Sequence, residues 1–361
     1  MVWLLLIPVL FYFIFIRQAY GFLRLMQPLI SEGSSFHKVS VIIPCKNEEN
    51  NLPFILSDLE SQDYDDDWFE VIVIDDSSAD NTFREASAYK GIKNYKVLNN
   101  PYKGKKSAIG FGVDNASGEL IITTDADCRF GRKWISAHAT AYDSALPDMI
   151  IGPVQLKERS GFFGRFMELE FLSLQGVTAG TALAYKPVMC NSANLSFTKE
   201  AYLRHSKNLH PEILSGDDIF LLHSLKKDPD AEISWLNLPD GMVTTSQTNT
   251  FYSFIKQRAR WISKAGSYKD PLSIALSIVT FVTIILLVFF MIAGIIRHEF
   301  WLLFLVSFII KSVPDYLLLK EITKRYLKSN LLKWFLPSQL VYPFYVLIVF
   351  SYSLIIGERW K

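Results

Sequence analysis

Residues 71–82 read VIVIDDSSADNT, and this stretch decides the fold. Val71–Ile74 is a run of β-branched apolar residues with no polar alternation, which fits a strand buried on both faces, as parallel strands are. The chain then turns at once, because the Asp and Ser of 75–80 favour turns and helix N-caps. The same grammar recurs on either side. Upstream, KVSVIIP at 38–44 is a second buried run ended by Pro44, and 48–59 has helical spacing. Downstream, 84–89 is a helix candidate, 95–98 a strand, 105–115 a helix closed by Ser117 and Gly118, and LIIT at 120–123 a fourth strand. Strands and helices alternating at short intervals predict βαβ units and a mostly parallel, Rossmann-like α/β sheet. Residues 142–247 are less regular, with a helix over 162–175.

In open parallel sheets, ligands bind outside the carboxyl ends of the strands. The polar clusters fall there: 45–49 after the first strand, 75–80 after the second and 125–127 after the fourth. Asp125 and Asp127, at i and i+2 where the chain leaves a strand, can reach one small site as hard oxygen ligands for Mg²⁺ or Mn²⁺. An isolated DxD is equally a solvated loop or an Asx turn. KGKK at 103–106 opens a helix and reads as an anion site or as a basic solvated loop. It lacks Walker A spacing. SGDD at 215–218 places two carboxylates after a glycine, as a general base or as helix-start acids. In QRARW at 257–261, Gln257, Arg260 and Trp261 share one helical face. They read as a phosphate clamp with a stacking indole, or as an interfacial anchor.

Outside this middle the chain changes character. Residues 1–30 and 271–361 carry 11 Lys and Arg against four Asp and Glu, whereas 31–270 carry 26 against 32. The overall +1 is therefore a cancellation, and the 50% hydrophobic content is concentrated at the ends. Pro271–Ile296 has no charge over 26 residues, about 39 Å of helix, enough to cross a hydrocarbon core. Trp334–Ile356 is uncharged as well, and 300–319 is interrupted only by Lys311 and Asp315, which at i and i+4 can pair. Met1–Ile16 has no basic n-region and no small-residue cleavage site, so it reads as a retained anchor with an interfacial continuation to Ile30. The expected organisation is a membrane anchor at 1–30, a soluble domain at 31–262, and membrane helices at about 271–296, 300–319 and 334–356 within 263–361. Arg17, Arg24 and Lys38, with the five basic residues of 320–333, place the middle on the cytoplasmic side. Four full crossings put Arg359 and Lys361 outside, against that rule. Either the last segment is re-entrant or the rule is locally overridden.

Composition excludes several classes. A chain 14% aromatic is not disordered, and a net charge of +1 argues against a nucleic-acid binder. Cys45, Cys128 and Cys190 form no CxxC pair, which argues against a disulfide framework or a zinc site.

Taken in order, these motifs resemble the membrane-embedded family 2 glycosyltransferases, the group of the cellulose, chitin and hyaluronan synthases and of ceramide glucosyltransferase. The resemblance covers about 38–262. It implies a GT-A nucleotide-diphospho-sugar transferase domain joined to transmembrane helices, in an integral, multi-pass protein of the bacterial inner membrane. It implies that Pro44, Asn47 and Glu48 belong to the first donor motif and that Asp76 contacts the base. It implies that Asp125 and Asp127 form the DxD, with Asp127 as metal ligand, and that Asn194 lies in the acceptor-side segment NSAN. SGDD implies Asp218 as catalytic base, with Asp217 where the family usually has Glu. Lys105 assists the diphosphate; Gln257 and Arg260 lie near it, and Trp261 floors the acceptor. The implied reaction is inverting transfer from a nucleotide-sugar, UDP-linked by family habit, to a lipid or a growing glycan. Mg²⁺ or Mn²⁺ is the implied cofactor. The lipid is favoured because the spans offer only Lys311, Asp315 and Gln339 as a polar interior. A catalytically silent nucleotide-sugar-binding membrane protein is the alternative of another class.

Overall fold

The computed structural model describes residues 2–27, 29, 36–184, 186–209 and 216–355. Their strands are β1 (Val39–Cys45), β2 (Phe69–Asp75), β3 (Tyr95–Asn99), β4 (Leu120–Thr123), β5 (Arg129–Phe130), β6 (Met149–Ile151), β7 (Val154–Leu156), β8 (Leu195–Thr198), β9 (Ile233–Trp235) and β10 (Val243–Thr245). Seven of them form one sheet in the order β3-β2-β1-β4-β8-β6-β9, and β5-β10-β7 form a second. Every residue of β1, β2 and β4 is buried, as their unbroken apolar runs require. The crossover helices are Leu52–Glu60, Thr82–Ala88 and Lys105–Asn115. Gly112 lets the last of these approach the sheet, since a Cβ there would stand 2.7 Å from Ile42.

The four strands read from sequence are parallel, with Cys45 opposite Asp75 and Ile42 opposite Thr123. β8 departs from that pattern and runs antiparallel to both β4 and β6. Because it is reversed, its first residue, Leu195, sits opposite Thr123 at the carboxyl end of β4. The segment that precedes β8 thereby joins the loops that follow β1, β2 and β4.

The chain divides into two compact units. One takes the described residues of Gln27–Lys157 and Met189–Ser246, with both sheets. The other takes those of Met1–Met26, Glu158–Val188 and Gln247–Gly357. The Gly161–Leu183 helix and the Phe251–Ile262 helix, expected within the soluble domain at 31–262, thus cluster with the apolar helices.

Four helices of this second unit are long and apolar enough to cross a membrane: Trp3–Leu25, Pro271–Ile296, Glu299–Arg325 and Ser329–Ser353. The first is longer than the uncharged 1–16 run, because Arg17 and Arg24 ride on the helix without ending it. The third runs unbroken past Pro314, beyond the expected limit at 319. Arg359 and Lys361 lie outside the described residues, as does the end of the last expected span.

Inside this unit one buried polar network is centred on Lys311 and Asp315. Lys311 Nζ donates to Asp315 Oδ2 at 2.7 Å and to Gln339 Oε1 at 2.6 Å. Gln339 Nε2 donates to the same Asp315 oxygen at 3.2 Å, and Tyr12 supplies its hydroxyl to Oδ1 at 2.7 Å. The Lys311 ammonium also lies 4.6 Å from the Tyr342 ring centroid. Three helices are joined by a network whose acids and bases all have partners.

Candidate active site

The site begins where β1 and β2 end together. Cys45 O accepts from Asp76 N–H at 2.8 Å, and the two following loops are then zipped side by side. Asn47, at φ 56°, donates its N–H to Ser78 Oγ and accepts from Ala79 N–H, and Glu48 N–H donates to Thr82 Oγ1. The expected first motif, Pro44, Asn47 and Glu48, therefore lies beside the acidic turn, and Pro44 is opposite Ile74 in register.

Asp76 is 1% exposed. Its Oδ1 accepts from Asn100 Nδ2 at 2.6 Å and from Gly104 N–H at 2.9 Å, and its Oδ2 from Lys46 Nζ at 3.3 Å. It thus fixes the loop between β3 and the next helix. Gly104 precedes that helix at φ +99°, a conformation open to glycine and strained for other residues. Lys105 follows as the first helical residue.

Lys105 is the centre of the arrangement. Its Nζ donates to Asp125 Oδ1 and, at 2.8 Å, to Ser192 Oγ. Burial lowers the ammonium's pKa, but Asp125 first and then Asp217 and Asp218 outweigh that and hold it above the ordinary lysine value. Ser192 N–H in turn donates to Asp218 Oδ2 at 3.2 Å, while Asp218 Oδ1 accepts from Ile219 N–H at 2.8 Å. Asp217 and Asp218 open the Asp217–Leu225 helix after Gly216 (φ +86°); Ser215 lies outside the described residues. Asp127 accepts from the Thr245 hydroxyl at 3.2 Å, which brings β10 to the same place. The structure thus links Asp125, Lys105 and Asp218 through Ser192, a residue whose part the sequence signalled only as one letter of NSAN, and Asp217 adds its charge at the Lys105 ammonium.

Asn194 is placed differently. It is fully buried and all its hydrogen-bonding capacity is used within the protein. Its Oδ1 accepts from Trp134 Nε1 at 3.0 Å and from His138 Nε2 at 2.9 Å, and its Nδ2 donates to Pro153 O and Gly241 O, both at 2.8 Å. Gly152 is required alongside, since a Cβ there would lie 2.3 Å from the amide. Burial pulls His138 down to about 4, so it is neutral and carries its proton on Nε2. Asn194 therefore ties segments together and shapes the site from behind.

Gln257, Arg260 and Trp261 lie on the Phe251–Ile262 helix, in the unit of apolar helices. There the intervening Arg258 does the fixing. It forms a bidentate pair with Glu170, Nη2 to Oε2 at 2.6 Å and Nε to Oε1 at 3.0 Å. It donates to Gln257 Oε1 at 2.8 Å, and its guanidinium lies 4.1 Å from the Trp261 ring. Neither Glu170 nor Arg258 carried a sequence signal, because nothing local links residues 88 apart.

A family model answers to this geometry. Residues 40–205 match the Glycosyl transferase family 2 model. They form a family 2 glycosyltransferase domain.

The family 2 domain covers every strand-end acid discussed above except Asp217 and Asp218. Among curated proteins, the chain is 45% identical over 98 residues to the undecaprenyl-phosphate 4-deoxy-4-formamido-L-arabinose transferase of Aeromonas hydrophila subsp. hydrophila, covering 25% of this chain and 28% of that one. It is 29% identical over 125 residues to glycosyltransferase AglE of Haloferax volcanii, covering 34% and 41%. A longer match, to the former enzyme of Klebsiella pneumoniae subsp. pneumoniae, is 26% identical over 211 residues and covers 56% and 64%. The chain thus spans less than two thirds of the length of the curated relatives it matches. Among solved structures, the mannosyltransferase PcManGT of Pyrobaculum calidifontis, in complex with GDP-Man and Mn²⁺, superposes with a TM-score of 0.57 at 17% identity, over 96% of this chain and 92% of that one. The fold is of the GT-A type.

Proposed function

We propose that the protein is an inverting hexosyltransferase that moves a sugar from a nucleotide-sugar to a membrane lipid. The observation that carries this is the meeting of Asp125, Lys105 and Asp218 around Ser192 in a GT-A domain whose chain also forms four membrane-length helices. Asp76 and the loops zipped to it would hold the nucleotide, which is UDP by family habit and GDP as the second choice. Asp218, already oriented by two backbone N–H groups, would take the proton of an acceptor hydroxyl as its oxygen attacks the anomeric carbon. Lys105 would neutralise diphosphate oxygens as the donor bond breaks.

The donor set suits a divalent cation. Asp125 and Asp127 offer hard oxygens of the kind that suit Mg²⁺ or Mn²⁺, which keep water and take substrate phosphates. Asp127 would hold the ion, whose charge stabilises the departing diphosphate.

The closed network of Lys311, Asp315 and Gln339 leaves those side chains no free groups to line a polymer path, which favours a lipid over a processive synthase. A lipid hydroxyl is preferred to a lipid phosphate because a phosphate is already ionised and needs no base, whereas Asp218 would serve to deprotonate a hydroxyl. The names of the curated relatives support the lipid phosphate as second reading. In this reading the domain and the basic 320–333 stretch face the cytoplasm.

The test is incubation of purified protein with labelled UDP- and GDP-sugars, Mn²⁺ or Mg²⁺, and either hydroxyl lipids or polyprenyl phosphate. Label is expected in the organic phase as one sugar per lipid, in an acid-stable linkage. An acid-labile product formed only with polyprenyl phosphate selects the second reading. A long aqueous ladder overturns the lipid assignment, and absence of any transfer overturns the enzyme.

A further inference from the structure

Lys105 carries more than its part in binding diphosphate. Its side chain is 16% exposed, and the ammonium is shared between Asp125 Oδ1 and Ser192 Oγ. Asp217 and Asp218 act on the same ammonium from the next segment. One lysine therefore feels the charge of three carboxylates and hydrogen-bonds one of them, Asp125 of the DxD. It is held there from behind, since Gly104 N–H is fixed by Asp76 and the positive φ of Gly104 sets the start of the helix. Asp127, two residues from Asp125, accepts instead from the neutral Thr245 hydroxyl.

We propose that Lys105 is a resident counter-cation that occupies Asp125 in the nucleotide-free protein, so that a divalent cation enters with the nucleotide diphosphate rather than before it. The proposal rests on the functional reading above for the identity of the diphosphate. The physical reason is charge. An ammonium within a few ångströms of the DxD repels a dication strongly enough to weaken its binding about tenfold or more at the effective dielectric of a half-buried site. Diphosphate oxygens give that ammonium an anionic partner, and its charge then favours the assembled complex. Metal and nucleotide are thus coupled, and by linkage each strengthens the other equally.

The experiment measures free Mn²⁺ by electron paramagnetic resonance during titration of the full chain in detergent, alone and with saturating UDP or GDP. The wild-type protein is expected to bind Mn²⁺ weakly alone and at least tenfold more tightly with one nucleotide. Lys105→Met is expected to bind Mn²⁺ alone at least tenfold more tightly than wild type and to lose most of the coupling. Lys105→Arg is expected to behave as wild type. Lys199→Met removes an equal charge elsewhere in the domain, where Lys199 caps Ala116 O, and is expected to leave Mn²⁺ affinity unchanged. Unchanged or weaker Mn²⁺ binding by Lys105→Met overturns the proposal, as does an equal gain in Lys199→Met. If Lys105→Met does not fold, Lys105→Gln carries the same comparison. Failure of wild type to bind either nucleotide would count against the functional reading, while the Mn²⁺-only arm would still decide the role of Lys105.

Discussion

Two of the protein's lysine–aspartate pairs look alike on paper and differ in kind. Lys311 and Asp315 sit among apolar helices, and both Asp315 oxygens and the Lys311 ammonium have further partners in Tyr12 and Gln339. Lys105 and Asp125 sit at a strand end, where the Asp125 side chain is 34% exposed and two more aspartates press on the same ammonium. The first pair is balanced and closed, as an ion pair withdrawn from water must be. The second is partly open to water at a strand end, and three carboxylates bear on its ammonium. A buried ion pair is thus a poor sign of function by itself; a charge cluster open at the strand ends is the better one.

Breaking the open site should cost chemistry, and breaking the closed one should cost stability. The largest effect is expected from Asp218→Asn, which removes the proposed base and keeps an acceptor for one of its two backbone N–H partners. Transfer to a hydroxyl lipid should fall by about a thousandfold or more, with nucleotide affinity within a few fold, as read by product formation beside equilibrium binding. Near-normal turnover would remove Asp218 from its role.

Lys311→Met leaves Asp315 buried without its counter-charge and should cost about 3–5 kcal/mol, seen as a large fall in Tm in detergent. Combining it with Asp315→Leu should restore most of that loss. If the single variant is as stable as wild type, the network is not the structural element described here.

A third test lies within the family 2 domain. Glu70 is buried at the start of β2, where Ser40, Ser117 and Lys96 all donate to it. Burial raises its pKa, but those donors overcome this and bring it down to about 2 from an ordinary 4.5. A carboxyl depressed in the folded state stabilises fully above its unfolded value. That contribution, about 2 to 3 kcal/mol, should therefore be lost as pH falls from about 4.5 towards 2. Glu70→Gln should lower Tm at pH 7 and flatten its dependence over that window. The smallest effect is expected from Thr250→Ala, which removes the reciprocal cap with Ser253 from the helix that bears Trp261 and should cost about 1 kcal/mol.

Much of the strand-end cluster was legible in sequence because it is local. VSVIIPC, FEVIVID and LIIT can only be buried strands, and each hands its following loop to the same sheet edge. The pairing of Lys311 with Asp315 was legible for the same reason, being one helical turn. What was not legible depended on reversal or on distance. β8 has the length and composition of the parallel strands, and nothing in it declares that it runs the other way. Asn194 reads as a polar residue at a site, yet Trp134, His138, Pro153 and Gly241 use up its amide.

The sequence by itself determined the alternation of strands and helices, the acids at the strand ends and the four apolar helices, because these follow from periodicity and from run length. Only the tertiary structure decided that Lys105 stands between Asp125 and Ser192, that Ser192 orients Asp218, and that Glu170 grips Arg258 beneath Trp261. Those contacts join residues separated by 20 to 88 positions, and a carboxylate acquires its chemistry from the charge beside it in space, which no local spacing records.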